Sequence, residues 1–129
     1  MKVIFEMLKG QVIKEIIGLE NQSEEVVINF ASGDSVNMYH QQDCCEYVWL
    51  EDFEEPKNLI GATVLDLVIS ENEGDCEYGS MTWTFYKFQT TKGELFLRWC
   101  GESNGYYSED VDIMYTDSDG NNHHYNRYI

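Results

Sequence analysis

The stretch from Met81 to Cys100, MTWTFYKFQTTKGELFLRWC, decides the fold. Apolar and polar side chains alternate along both halves, a period of two that belongs to strands and not to helices. Between the halves lies Lys92-Gly93, with a glycine that tolerates the positive φ of a hairpin turn. If these two residues form the turn, Thr91 faces Glu94, and counting outward sets Tyr86 opposite Trp99, Phe88 opposite Leu97 and Lys87 opposite Arg98. One face then carries Tyr86, Phe88, Leu95, Leu97 and Trp99, a good core face. The other carries Trp83, Phe85, Phe96 and Cys100 around Lys87 and Arg98. Like charges set opposite one another cost up to about 1 kcal/mol unless an anion or acidic side chains lie between them.

Downstream, Asn104-Gly105 predicts a second tight turn, and the same counting pairs Arg98 with Val111, Cys100 with Glu109 and Glu102 with Tyr107. Tyr107 and Glu109 are thereby expected on the face of Phe96, with Asn104 at its rim. A surface of rings and cations suits a nucleotide, because bases stack on aromatic side chains and phosphates take charge-assisted bonds from Arg and Lys. The plainer alternative makes Glu109 and Glu94 surface partners of Arg98 and Lys87, with Phe85 and Phe96 covered by another sheet or subunit.

Outward from this centre, alternation also marks strands over Val12–Leu19, Glu25–Phe30, Ser35–His40, Thr63–Ile69 and Val111–Tyr115. Turn chemistry at Ser32-Gly33-Asp34 and Asp119-Gly120 separates them. Pro56, the one proline, follows EDFEE and is placed to begin a short helix. The expected fold is mainly β, all-β or α+β: an antiparallel meander with one or two short helices, a single domain over residues 1–129.

The chain has 129 residues, 43% of them hydrophobic, enough for one real core. Its 24 acidic against 8 basic residues give a formal charge of −16, which disfavours nucleic acid and anionic membranes as partners. The N-terminal MKVIFEMLKG has no apolar run of signal-peptide length and no segment reaches about 18 apolar residues, so a soluble cytoplasmic protein is expected. Cys44, Cys45, Cys76 and Cys100 are read as reduced, small apolar residues, because their spacing matches no zinc site. No metal or cofactor is expected. In DSDGN, Asp117 to Asn121, the calcium-loop positions would fall on Tyr115 and Asn126, so the segment reads as a turn. His40 with Cys44 and Asp43 falls short of a nucleophile and base, since nearby residues on a strand alternate faces and nothing supplies an oxyanion hole. His40 is instead assigned to polar contacts with a ligand, and the protein is not expected to be an enzyme.

Four segments in fixed order, IIGLENQSEEVV (Ile16 to Val27), MYHQQDCCE (Met38 to Glu46), TWTFYKF (Thr82 to Phe88) and RWCGESNGYYSE (Arg98 to Glu109), carry a resemblance. From about Ile16 to Val111 the chain resembles a family of small bacteriophage and prophage proteins that includes the first class of Thoeris anti-defence proteins. The resemblance implies a non-enzymatic sponge built on homodimers or higher homo-oligomers in the cytoplasm of an infected bacterium. It would sequester glycocyclic ADP-ribose made by TIR-domain proteins, and in some members cyclic oligonucleotides. It also implies ligand contacts at Phe96 and Asn104, with Arg98 toward phosphate. The region from Tyr115 to Ile129 falls outside the resemblance. The alternative is an acidic DNA mimic that blocks a host enzyme's basic groove, although the carboxylates fall in short groups such as EDFEE and ENEGD instead of regular rows. A phage structural protein is a third reading.

Overall fold

Alternation along the chain becomes nine strands and one short helix among the described residues, which in this computed structural model are 2–40, 46–76, 79–103, 109 and 111–125. The order is α1 (Lys2–Leu8), β1 (Ile13–Ile17), β2 (Glu25–Phe30), β3 (Ser35–Tyr39), β4 (Tyr47–Glu54), β5 (Val64–Cys76), β6 (Gly79–Thr90), β7 (Gly93–Ser103), β8 (Asp112–Thr116) and β9 (Asn122–Tyr125). They form a five-stranded sheet, β1-β2-β3-β8-β9, and a four-stranded sheet, β4-β7-β6-β5, with every pairing antiparallel. The fold is mainly β, as the period of two requires.

The meander is correct only in pieces. Neighbours in sequence pair within β1-β2-β3, β5-β6-β7 and β8-β9, but the chain changes sheet between β3 and β4 and again between β7 and β8. β8 therefore lies against β3, with Ile113 across from Met38, and the expected pairing of Arg98 with Val111 and of Cys100 with Glu109 does not occur. The neighbour that β7 has instead is β4, where Trp49 faces Cys100. Alternation alone does not reveal β4, because a bulge between Leu50 and Asp52 breaks its period.

The helix expected at Pro56 is absent. Residues 57–58 form a turn, and the helix present is α1, which buries Ile4 and Leu8 one turn apart. Pro56 instead closes on Gly93, where an added Cβ would lie 2.9 Å from its ring. Gly93 also has φ +125, so both its backbone and its neighbour exclude a side chain.

The central turn sits one residue earlier on each strand than the sequence suggests. Thr90 faces Gly93, because the Thr90 hydroxyl donates to the Gly93 carbonyl at 2.6 Å and accepts from the Lys92 amide at 3.2 Å, leaving Thr91-Lys92 as the turn. Tyr86 consequently faces Leu97, Phe88 faces Leu95, Lys87 faces Phe96 and Arg98 faces Phe85. The expected opposition of Lys87 and Arg98 is thus corrected, while the division into two faces is retained.

The core joins the inner faces of both sheets. Val26, Ile28, Phe30, Val36, Met38, Ile113 and Tyr115 come from one, and Val48, Leu50, Leu67, Tyr86, Phe88, Leu95, Leu97 and Trp99 from the other. Tyr115 ties outlying parts to this core: its hydroxyl donates to Asp34 in the β2–β3 turn and lies 3.4 Å from the Met7 carbonyl of α1.

Candidate functional site

The outer faces of the two sheets differ in chemistry. On the five-stranded sheet, Asn29 donates to Glu15 at 2.9 Å and Asn37 to Glu25 at 3.1 Å, a polar and solvated surface. On the four-stranded sheet, strand register lays out three rows. Asn72, Trp83, Cys100 and Trp49 form one, Ser70, Phe85, Arg98 and Asp52 the next, and Val68, Lys87, Phe96 and Glu54 the third. Phe85 and Phe96 lie diagonally, with ring centroids 5.8 Å apart and planes tilted by 32°, and Tyr47 stacks on Trp49 at 4.9 Å. Trp49, Trp83, Phe85 and Phe96 are half-buried, whereas Tyr47 and Val68 are exposed.

The two cations on this face have different surroundings. Arg98 is held by Glu51 at 2.9 Å and stands 3.9 Å from Asp52. Adjacent residues on a regular strand point to opposite faces, and the bulge in β4 is what brings both carboxylates to one guanidinium. Among the described residues Lys87 has only a loose partner, Glu94 at 4.0 Å. A cavity of about 300 Å³ opens beside it, lined by Val68, Ser70, Asn72, Phe85, Lys87 and Phe96. Arg98 does not line this cavity.

Of the sequence-derived site residues, Phe85, Lys87, Phe96 and Arg98 share this face. Glu109 does not. It is buried on the opposite side of the same sheet, where its carboxylate accepts hydrogen bonds from Ser80, from Thr82 at 2.9 Å and from Ser103 at 2.5 Å. Those donors carry the inward parity of Thr84 and Tyr86, and Gly101 makes room for the approach, since an added Cβ there would lie 2.6 Å from the Glu109 carbonyl oxygen. His40 is not on the aromatic face either. It follows β3 in the other sheet, and its ring, 6% exposed, lies 2.9 Å from the buried carboxylate of Glu46. The polar contact that the structure gives this ring is therefore to Glu46, away from the aromatic face. Asn104 and Tyr107 lie outside the described residues.

Sequence reasoning missed Val68, Ser70 and Asn72. Their alternation with Leu67 and Ile69 is regular, but the polar run SENEGD resembles a loop, so the strand was expected to stop at Ile69 when it continues to Cys76. Glu51 and Asp52, the partners of Arg98, were hidden by the bulge.

Cys100 is fully buried in the row of Trp83 and Trp49, and burial, then the charge of Glu51 and a hydrogen bond to it, pushes its thiol up to about 12. Such a thiol is a packing group at neutral pH, not a nucleophile. A second, larger and more open groove of about 1070 Å³ runs between the β1–β2 connection, residues 55–60 and Lys92, bordered by Lys57 and Lys92 but also by Glu20 and Glu55. Among the described residues no group of three or more His, Cys, Asp or Glu side chains is placed to hold a metal, and no described helix is long and apolar enough to cross a membrane.

Fold and site together define a two-sheet β protein with one polar and one aromatic, cation-bearing outer face. The chain belongs to the family described as Domain of unknown function (DUF7448), whose model matches residues 6–113, so that β9 lies beyond the matched span. No curated protein and no solved structure matches the chain.

Proposed function

We propose that this protein is a non-enzymatic phage anti-defence protein that binds and sequesters cyclic ADP-ribose-type signalling nucleotides, blocking TIR-based immunity. One observation carries the reading: Phe85, Phe96 and Lys87 border one cavity on the outer face of the four-stranded sheet, in a chain whose net charge of −16 repels anions at long range. Two phenyl faces offer stacking for a base, and a loosely paired ammonium at short range outweighs a screened long-range repulsion. The likeness of four ordered segments to sponge-bearing phage proteins supports the choice of ligand. An acidic DNA mimic would need carboxylates where these rows present rings.

The same face supports self-association into a homodimer at least, since Tyr47 at 44% and Val68 at 43% exposure extend an already apolar surface. Light scattering that returns a mass near the 15.1 kDa of one chain at working concentration overturns that part. For the function itself, the protein is incubated with glycocyclic ADP-ribose, washed, heated and the released material analysed. Release of intact nucleotide is expected. Hydrolysed product alone, or no capture at micromolar concentration, overturns the reading.

A further inference from the structure

We propose that Ser70 and Asn72, on β5, are the specificity-determining residues of the outer-face site, and that Asn72 selects adenine over purines carrying an oxo group at position 6. The proposal rests on the nucleotide-binding reading above. Stacking on Phe85 and Phe96 holds a ring without identifying it, because every base has a π face. Identity has to come from hydrogen-bonding groups at the edge of the stacked ring. The cavity lining supplies three: the Lys87 ammonium, the Ser70 hydroxyl and the Asn72 carboxamide. An ammonium only donates, which suits a phosphate oxygen. A carboxamide presents a donor beside an acceptor, the complement of the amino group and neighbouring ring nitrogen on one edge of adenine. Guanine and hypoxanthine set two acceptors on that edge, so one of the two bonds is lost and an acceptor faces an acceptor.

Register supports this division of labour. Asn72 stands across from Trp83 and Ser70 across from Phe85, one strand away from the rings, so their polar groups border the platform instead of lying beneath it. Both side chains are exposed, and neither has a hydrogen-bond partner among the described residues. Ser70, nearer the Lys87 row, is positioned for a ribose hydroxyl.

Calorimetric titration of the full chain with glycocyclic ADP-ribose and with its hypoxanthine counterpart tests the proposal. The unaltered protein is expected to prefer the adenine probe by roughly tenfold or more, the value of one bidentate pair. Asn72→Ala should still bind both probes but bring that preference below about threefold, while Ser70→Ala weakens both probes equally. Equal binding of the two probes by the unaltered protein, or an undiminished preference in Asn72→Ala, overturns the proposal and leaves the nucleotide-binding reading standing. Binding of neither probe overturns both. Asn72 is exposed, so a thermal melt of each variant matching the unaltered protein confirms that the readout is recognition and not folding.

Discussion

Arg98 faces Phe85 across the β6–β7 pair, and Lys87 faces Phe96. The two cations are diagonal neighbours, each set opposite a ring. This removes the repulsion that direct opposition would impose and leaves each charge to a different acidic partner, Glu51 for Arg98 and Glu94 for Lys87. The cations therefore play unequal parts, and substitutions on this face should separate them.

Phe96→Ala should weaken binding of glycocyclic ADP-ribose roughly ten- to a hundredfold, because base stacking on an aromatic side chain contributes about 1–3 kcal/mol. Phe96 is half-buried, so the loss in folding stability should fall short of the about 3–5 kcal/mol of a core phenylalanine. Leu97→Ala, one residue on and fully buried, should show the reverse: a cost of about 2–5 kcal/mol in urea unfolding. Unchanged affinity in well-folded Phe96→Ala would place the site elsewhere.

Lys87→Met should cost more affinity than Arg98→Met. A charge-assisted hydrogen bond contributes about 1.5–3 kcal/mol, and it is Lys87 that lines the cavity while Arg98 is engaged by carboxylates. In stability the Arg98 pair is half-exposed, so Arg98→Met should lose only about 0.2–1 kcal/mol. That difference should narrow further as salt is raised. Equal affinity losses from the two variants would refute the distinction.

Glu109→Gln should destabilise the fold by about 1–3 kcal/mol, since a carboxylate that accepts from Ser80, Thr82 and Ser103 is replaced by a group with one acceptor oxygen. Gly101→Ala should cost a similar amount, about 1–3 kcal/mol, by forcing a methyl group against the Glu109 carbonyl. Urea midpoints give both values, and no change in either would show that the clasp contributes nothing to stability.

Alkaline pH should destabilise the protein. The Cys100 thiol in the folded state is raised to about 12, chiefly by burial and then by Glu51, while an unfolded thiol ionises near about 8.5. The folded state holds its proton longer, so the stabilisation is fully present below about pH 8.5 and is lost as pH rises toward about 12. Tyr115, raised by burial and by its bond to Asp34, adds in the same direction at higher pH. Urea midpoints between about pH 8.5 and 10 should fall for the natural chain and stay flatter for Cys100→Ala; parallel curves would contradict the assignment.

The period of two, the inward set from Tyr86 to Trp99 and the gathering of Phe85, Lys87, Phe96 and Arg98 on one face were all legible, because strand parity survives small errors of register. Shifting a turn by one residue on each strand changes who faces whom but leaves each side chain on its own face. Changes of sheet left no such trace. Nothing in residues 40–46 or 103–111 announces that β4 and β8 pair with strands far away in sequence, and the misplacement of Glu109 follows directly from that. The contact of His40 was hidden for a related reason: its partner Glu46 lies across a change of sheet, where alternation says nothing about burial. On β5 the polar letters of Ser70 to Asp75 concealed an edge strand that is exposed on both faces from Ser70 to Glu73.

The bond from Ser103 to Glu109 anchors the chain at two points six positions apart: Ser103 closes β7, and Glu109 is buried against the same sheet. Closing a longer connection costs only about 0.6 kcal/mol for each doubling of length. Residues added between these two anchors should therefore be tolerated by the fold as long as both ends of the clasp are kept, whereas loss of either end would release the tether.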